Sequence, residues 1–319
     1  MKYLFGPVPS RRLGVSLGID LVPYKTCNLN CVYCEVGTTT NLTRELSEYV
    51  PTSEVISELS SYLSTRPHLD FITFSGAGEP GLHVGLGRII NWLKTHYPEY
   101  RLALLTNGIL MADDAFRQSV VEVDVVLPSL DAVSESVFQS INRPALGIHA
   151  EDYIRGLIEF RKLFKGEIWL EVFLVPGIND TVDELDKIYK VIRELAPDKV
   201  QLNTLDRPGT EDWVVPLSNE SLLQIKHKWS ELPIEIPSLG ILHEVKATEK
   251  SKAEGRMLAM LSRRPCTESD IISSLGLSVK DVRWLISRLI ASGKIIQEQQ
   301  KRGVFYKAVN TKPVSDKPI

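Results

Sequence analysis

Two hydrophobic patterns alternate along the first 250 residues of the chain. Short runs of aliphatic and β-branched residues are separated by longer stretches in which apolar residues recur at helical spacing. This alternation is typical of βα units, which assemble into a parallel sheet. The predicted strands are Ser16 to Val22, Asp70 to Ser75, Leu102 to Leu105, Asp124 to Pro128, Ile168 to Val175 and Lys199 to Thr204. The predicted helices are about Thr52 to Leu63, Gly85 to Lys94, Ala112 to Ser119, Glu151 to Leu163 and Thr181 to Leu195.

A different pattern begins near Gly255. Thr267 and Asp270 predict a capping box that opens a helix ending at Leu275, although the acidic member of such a box is ordinarily Glu. Apolar positions predict a helix before it, from Met257, Leu258 and Leu261, and a helix after it, from Val282, Leu285, Ile286 and Leu289. Residues 293–296 and 303–306 then predict a hairpin around 299–302. Helices followed by a hairpin in this order resemble a winged-helix domain.

The two regions differ in charge. The chain of 319 residues has a formal net charge of −3, but residues 251–319 carry 13 Lys and Arg against 6 Asp and Glu, a net charge of +7. A winged helix binds nucleic acid through its third helix, and cations there suit phosphate contacts. The candidate phosphate-binding residues are Lys280, Arg283, Arg288, Lys301 and Arg302. A docking surface for a protein or peptide, or a merely solvated face, explains the same charge, so these alternatives stay open.

Three of the four cysteines lie close together, as Cys27, Cys31 and Cys34. A disulfide leaves one of them unpaired, and no secretory signal is expected. Structural zinc normally takes four ligands, and the nearest downstream histidine is His68. Three thiolates on one short loop instead suit a [4Fe–4S] cluster with one iron lacking a protein ligand. The fourth cysteine, Cys266, is expected to be a buried structural thiol.

The C-x₃-C-x₂-C spacing, with the aromatic Tyr33 before the last cysteine, resembles the cluster motif of the radical S-adenosylmethionine (SAM) superfamily. The resemblance implies a partial (β/α)₆ barrel and a SAM molecule bound at the open iron. One electron from the cluster then cleaves SAM to a 5′-deoxyadenosyl radical, which abstracts hydrogen from the substrate. Cys27, Cys31 and Cys34 are the implied cluster ligands, and Tyr33 is expected near the adenine.

Further candidate residues follow the predicted strands, where active sites gather in (β/α) barrels. The segment Gly76-Ala77-Gly78-Glu79 matches the glycine-rich region of the family, which is expected to bind the SAM amino group; its glycines permit close backbone approach to a ligand. Glu79 has the alternative of pairing within the barrel. Polar groups at other strand ends suit ribose hydroxyls or a carboxylate, and their position favours this role for Ser129 and Asp131, although such residues also occur in ordinary turns and caps. These residues are Asn107, Ser129 and Asp131.

The resemblance extends to the radical SAM subgroup described as wybutosine-synthase-related, over about residues 1–215. It rests on Phe5 to Gly14, Ser16 to Asp20, Pro23 to Cys27, Phe74 to Gly76, Ser129 to Asp131, Asn142 to Pro144 and Asp206 to Pro208. The true wybutosine-pathway enzymes carry extra cysteines for a second cluster, which this chain lacks, so their pyruvate condensation is not supported. Arg11 and Arg12 are expected to close the barrel or contact SAM. Arg143 and Arg207 are expected to meet an anion or to form structural ion pairs.

Together these patterns predict a cytoplasmic enzyme with a radical SAM barrel at 1–250, a winged-helix-like domain at 251–310 and a disordered tail at 311–319. With 43% hydrophobic residues and no long apolar run, a large core and no membrane span are expected. The implied partners are an external one-electron donor of the flavodoxin or ferredoxin type and RNA, DNA or a polypeptide bound through residues 255–310. The alternative is a DNA-binding regulator whose cluster senses redox state or SAM.

Overall fold

The computed structural model describes residues 1–10, 12–237, 250–300 and 303–309. The chain divides into two compact units, Met1–His243 and Glu244–Ile319. Arg11, Lys301, Arg302 and the segment 311–319, all named above, lie outside the described residues. In the described ranges, no helix has the length and apolar character needed to cross a membrane.

The first unit is built on a largely parallel sheet. Its strands are β1 (Leu4–Ser10), β2 (Gly14–Ile19), β3 (Thr26–Cys27), β4 (Asn41–Leu42), β5 (Phe71–Phe74), β6 (Arg101–Thr106), β7 (Val125–Pro128), β8 (Glu167–Phe173), β9 (Lys199–Asn203) and β10 (Ile234–Glu235). The main sheet has the order β1-β2-β5-β6-β7-β8-β9-β10, with β3 and β4 paired separately. Strand β1 is antiparallel to β2, and every later pairing in the main sheet is parallel. The six predicted strands correspond to β2 and β5 to β9.

Helices connect the parallel strands, as the α/β pattern predicts. They are α1 (Thr52–Leu63), α2 (Leu86–His96), α3 (Asp114–Ser119), α4 (Glu135–Ile141), α5 (Ala150–Leu163), α6 (Val182–Leu195) and α7 (Asn219–Lys228). Short 3₁₀ turns at Pro80–Leu82 and Ile109–Ala112 follow β5 and β6. The five predicted helices correspond to α1, α2, α3, α5 and α6, with ends that differ by a few residues. The prediction missed α4 and α7.

The sheet is buried on both faces, which explains why its strands appear in the sequence as nearly continuous apolar runs. Every residue of β5 and of β7 is buried. One face contributes Ile72, Phe74, Leu104 and Val126, among others, to the main core. The alternate residues of the same strands form a second cluster with the turn between β1 and β2: Leu13, Phe71, Ala103, Val125, Leu127 and Trp169. The sheet therefore has apolar side chains on both faces: one face packs into the main core, and the other carries this second cluster.

The second unit has its own small core. Its elements are α8 (Lys250–Leu261), β11 (Cys266–Thr267), α9 (Glu268–Leu275), α10 (Val279–Ala291), β12 (Ile295–Gln300) and β13 (Gly303–Ala308), with the strands in the order β11-β13-β12. The predicted capping box is present, because the side chains of Thr267 and Asp270 each accept a backbone N–H at the start of α9. Cys266 is buried in this core with Met257 and Ile271. The predicted helices and hairpin are thus present, together with the unpredicted β11.

Two helical glycines should respond in opposite directions to the same substitution. Alanine favours a helix over glycine by about 1 kcal/mol. In α8, a Cβ at Gly255 meets no described atom within 4 Å, so Gly255→Ala should raise thermal stability. In α5, a Cβ at Gly156 would overlap the Met111 carbonyl and the Ala112 amide, so Gly156→Ala should lower it. Calorimetry of both variants checks this, and a stabilised Gly156→Ala protein contradicts the packing described for α5.

Candidate cofactor site at the carboxyl ends of the parallel strands

The three clustered cysteines lie on the loop that follows β2. Cys27 ends β3, which pairs with β4 beside it, and the Cys34 amide donates to the Cys31 carbonyl at 3.2 Å. All three are free and partly buried. Within the described residues, no three His, Cys, Asp or Glu side chains are arranged to hold a single metal ion. Thiolates that bind different irons of a cube have no need to converge on one point.

The loop after β5 fixes the start of the cysteine loop through the backbone. The Lys25 amide donates to the Ala77 carbonyl at 3.0 Å, and the Glu79 amide donates to the Thr26 carbonyl at 3.1 Å. A Cβ at Gly78 would lie deep inside van der Waals contact with the Thr26 carbonyl oxygen. Gly78 is therefore required for the two loops to approach each other next to Cys27.

Gly76 has a similar constraint. A Cβ there would overlap the Asp20 carboxylate, which also accepts a hydrogen bond from the Ala77 amide at 3.4 Å. The sequence prediction attributed both glycines to close approach of a ligand. The structure supplies a different reason, because protein atoms occupy the space that the Cβ atoms would take. A SAM-binding role for Gly76, Ala77 and Gly78 stays a prediction.

Glu79 bonds within the protein, which is the alternative foreseen for it. Its side chain is buried and accepts hydrogen bonds from the Gly81 amide at 2.9 Å, the Thr106 hydroxyl at 2.8 Å and the Asn107 amide at 2.8 Å. Burial raises the pKa of this carboxyl, while the hydrogen bonds oppose the shift. Glu79 thereby ties the loop after β5 to the end of β6.

Asp131 organises the end of β7. It is buried and accepts hydrogen bonds from the Tyr33 hydroxyl, from Asn142 Nδ2 at 2.8 Å and from the Phe173 amide at 2.9 Å. Burial raises its pKa to about 6 against these hydrogen bonds. The Tyr33 ring stacks on Phe173, with 3.8 Å between ring centroids. Asp131 therefore orients Tyr33. Ser129, also at the end of β7, is half-buried.

Each cysteine sulfur has a nitrogen donor within hydrogen-bond range. Lys25 Nζ donates to Cys34 Sγ at 3.0 Å. Asn107 Nδ2 lies 3.6 Å from Cys27 Sγ, and Asn142 Nδ2 lies 3.5 Å from Cys31 Sγ. The sequence predicted that Asn107 contacts ribose hydroxyls or a carboxylate, or else forms an ordinary turn, and it predicted no sulfur contact for Lys25 or Asn142. Both residues lie in segments that carry the family resemblance, Lys25 in Pro23 to Cys27 and Asn142 in Asn142 to Pro144. Membership of these segments was the signal in the sequence that could have identified them.

The donor set fits an iron–sulfur cluster. Burial raises the pKa of Cys27 to about 12 and raises that of Cys31 further still, so both are protonated thiols in the metal-free protein. Soft thiolates favour iron–sulfur centres, and their metallation releases these protons. Asn142 Oδ1 is buried and accepts no hydrogen bond from the described residues, which leaves an acceptor for a bound group beside Cys31.

The predicted arginines form ion pairs around the cysteine loop. Arg143 pairs with Glu211, and Arg207 lies 3.6 Å from Glu35. The Glu211 amide also donates to the carbonyl of Val32 at 3.2 Å. These contacts fasten the segment after β9 over the cysteine loop, so the structural alternative holds for both arginines.

Arg12 contacts the face of the sheet that carries the second apolar cluster, which includes Trp169. It pairs with Glu171 in the middle of β8, and its Nη1 lies 3.4 Å from Gln201 Oε1 in β9. Arg12 therefore links the β1–β2 turn to two strands near the other edge of the sheet.

Comparison with known proteins identifies the family. Residues 21–192, more than half of the chain, match the family model described as the radical SAM superfamily. The chain belongs to the radical SAM superfamily. It is therefore an enzyme whose cofactors are a [4Fe–4S] cluster and SAM, and it needs an external electron donor.

Two relatives match nearly the whole of this chain. A UPF0026 protein of Methanocaldococcus jannaschii is 31% identical over 311 residues, which cover 96% of each chain. A Brachyspira hyodysenteriae protein named GTPase Obg is 38% identical over 312 residues, which cover 97% of this chain and 45% of that one. The chain thus spans less than half of this second relative.

Solved structures share the fold. The crystal structure of a radical SAM methyltransferase from Sphaerobacter thermophilus superposes with a TM-score of 0.53 and 18% identity, covering 69% of this chain and 66% of that one. At this identity the likeness concerns the fold alone. It supports the mixed α/β architecture with a parallel sheet.

The contact between Gly78 and Thr26 leads to a prediction about iron uptake. Gly78→Ala should displace Thr26 and with it Cys27, so anaerobic reconstitution should leave the variant with much less iron and sulfide than the wild type. Gly255→Ala in α8 is the matched control and should load normally. Circular dichroism establishes that both variants are folded. A folded Gly78→Ala protein with full iron content would show that the two loops tolerate separation.

Proposed function

We propose that Cys27, Cys31 and Cys34 hold the [4Fe–4S] cluster and that this enzyme cleaves SAM reductively to abstract hydrogen from its substrate. The cluster supplies the electron for SAM cleavage and, through its open iron, a site for the methionine moiety. The observation that carries the proposal is the loop of three free thiols after β2, each with a nitrogen donor at its sulfur.

The SAM-binding surface is proposed to comprise the ends of β5, β6 and β7. Gly76, Ala77 and Gly78 bring the backbone after β5 against the cysteine loop. Ser129 presents a hydroxyl at the end of β7, while Asp131 holds the ring of Tyr33 in place for the adenine. Glu79 supports this surface from within the protein through its bonds to the end of β6. Asn107 at that end faces Cys27 and Asn28.

The same proposal covers the barrel, the family subgroup, the number of clusters and the location of the enzyme. Six of the parallel strands, β2 and β5 to β9, follow one another in chain order and suit the partial (β/α)₆ barrel of the family, and Arg12 links the turn at one edge to β8 and β9. The motifs at both ends of residues 1–215 favour the wybutosine-synthase-related subgroup. With one cysteine triplet, the chain is assigned a single cluster. We place the enzyme in the cytoplasm.

The second unit is proposed to be a winged-helix domain that recruits a macromolecular substrate, either RNA or a polypeptide. Its helices, capping box and hairpin support this assignment. On α10, Trp284 is 58% exposed, and the Arg288 guanidinium lies over its ring at 5.2 Å. Arg288 also pairs with Glu254 at 2.5 Å and Arg283 with Glu268 at 3.0 Å, so these cations are partly neutralised within the unit.

SAM cleavage tests the assignment of the cluster ligands. Anaerobically reconstituted protein, once reduced with SAM present, should release 5′-deoxyadenosine and methionine. Replacing Cys27, Cys31 and Cys34 together with Ala should abolish iron binding and cleavage, because no thiolate remains on that loop to hold iron. Cys266→Ala is the matched control and should retain both, since Cys266 lies in the core of the second unit.

A triple variant that still forms 5′-deoxyadenosine would overturn the assignment. Wild-type protein that binds SAM without cleaving it, while also binding DNA, would favour the regulator in which the cluster is a sensor.

Removing the second unit tests its proposed role. A chain ending near Lys250 should keep the cluster and uncoupled SAM cleavage, because the candidate cofactor residues lie before that point. If the unit recruits RNA, the full chain should bind RNA with an affinity that falls steeply as salt rises, and the truncated chain should not.

Charge variants of the full chain refine this test. Arg288→Glu should weaken RNA binding several-fold, whereas Glu254→Gln breaks the same ion pair but keeps the Arg288 charge and should not. Salt-insensitive or absent binding would favour polypeptide recruitment. Loss of the cluster on truncation would contradict the independence of the two units.

A further inference from the structure

Lys25 is a buried cation of unusual placement. The residue is 3% exposed, and within the described part of the chain no carboxylate lies within ion-pair distance of its ammonium. Buried ammonium groups ordinarily pair with an anion, because taking an unpaired charge out of water is costly. The positive charge of Lys25 must therefore be balanced by a group other than Asp or Glu.

The partner of the ammonium is Cys34 Sγ, at 3.0 Å. The backbone of Lys25 fixes this contact: its amide donates to Ala77, and its carbonyl accepts from the amides of Thr40 and Asn41, each at 3.1 Å. Its φ of 56° lies in the left-handed region, which a residue with a side chain adopts rarely and only where its surroundings determine it. The loop thus holds Lys25 in a disfavoured conformation with its ammonium at a sulfur.

Asn107 and Asn142 give the other two sulfurs neutral donors. Both amides are fixed at their far side, since Asn107 Nδ2 also donates to Asn28 Oδ1 at 2.5 Å and Asn142 Nδ2 also donates to Asp131 Oδ2 at 2.8 Å. The three sulfurs therefore face one cation and two amides, and each of these donors favours negative charge on the sulfur that it contacts.

We propose that Lys25, supported by Asn107 and Asn142, sets the reduction potential of the iron–sulfur cluster. The inference rests on the proposed function, in which the three cysteines hold that cluster. Reduction adds one electron, and hydrogen bonds to the ligand sulfurs together with nearby charge tune the potential of such clusters. Donors at the sulfurs stabilise the reduced state more than the oxidised state, and a charged donor does so more strongly than a neutral one. Lys25 is in this sense a positioning and tuning residue that contacts a ligand of the cluster.

Potentiometric titration of the cluster, followed by electron paramagnetic resonance of its reduced form without SAM, measures the effect. Lys25→Met keeps the stem and removes the charge. At a fixed potential it should lower the ratio of reduced to oxidised cluster about tenfold, which for one electron is a shift of about 59 mV to more negative potential. Asn107→Leu should give a smaller shift in the same direction. Lys25→Arg should restore most of the wild-type potential, and Lys226→Met, at an exposed lysine of α7, should change nothing.

The outcomes separate the two proposals. Wild-type protein that takes up no cluster overturns the proposed function. Lys25→Met protein with full iron content and the wild-type potential overturns the present inference alone. If Lys25→Met does not load iron, Lys25→Arg and Asn107→Leu decide. A reduction potential that is more negative in Asn107→Leu and near the wild-type value in Lys25→Arg supports the inference. Wild-type potentials in both variants overturn it.

Discussion

The backbone approach of Gly78 to Thr26 determines where the cysteine loop lies, and the rest of the site depends on it. The contact places Cys27 beside the loop after β5, and the Lys25 and Glu79 amides fasten that loop on either side. From Glu79 the connection continues to the end of β6 through Asn107. Three successive loops at the carboxyl ends of parallel strands are thereby held in one arrangement, which is where α/β folds place their chemistry.

The second determinant is the electrostatic environment of the sulfurs. Burial raises the pKa of two of the thiols, Cys27 and Cys31, yet each of the three sulfurs faces a nitrogen donor. Burial alone opposes negative charge on sulfur, and the donors favour it. An uncharged core would need neither a buried ammonium nor two fixed amides in these positions. Binding of a cluster would deprotonate the thiols, and the three nitrogen donors would then stabilise the negative charge on the sulfurs.

The sequence was a good guide to the strands and a poorer guide to the contacts between loops. Strands β2 and β5 to β9 were predictable because burial on both faces gives continuous apolar runs, whereas β10 is two residues long and α4 is a short helix without a marked pattern. The cysteine spacing predicted the cofactor because the three residues proposed as its ligands lie close together in the sequence. The sulfur contacts of Asn107 and Asn142 join residues 80 and 111 positions apart, and no local pattern encodes such pairs. For the same reason the sequence did not reveal that Gly76 and Gly78 pack against Asp20 and Thr26, which lie on another loop.

The central claim is that the three-cysteine loop holds a cluster with an iron open to SAM. Mössbauer spectroscopy of protein reconstituted with isotopically enriched iron, with and without SAM, tests it most directly. The account predicts that SAM alters the signal of a single iron site while the remaining sites keep their parameters, because only the iron without a cysteine ligand is open to coordination. A cluster whose iron sites are all unaffected by saturating SAM would contradict the account.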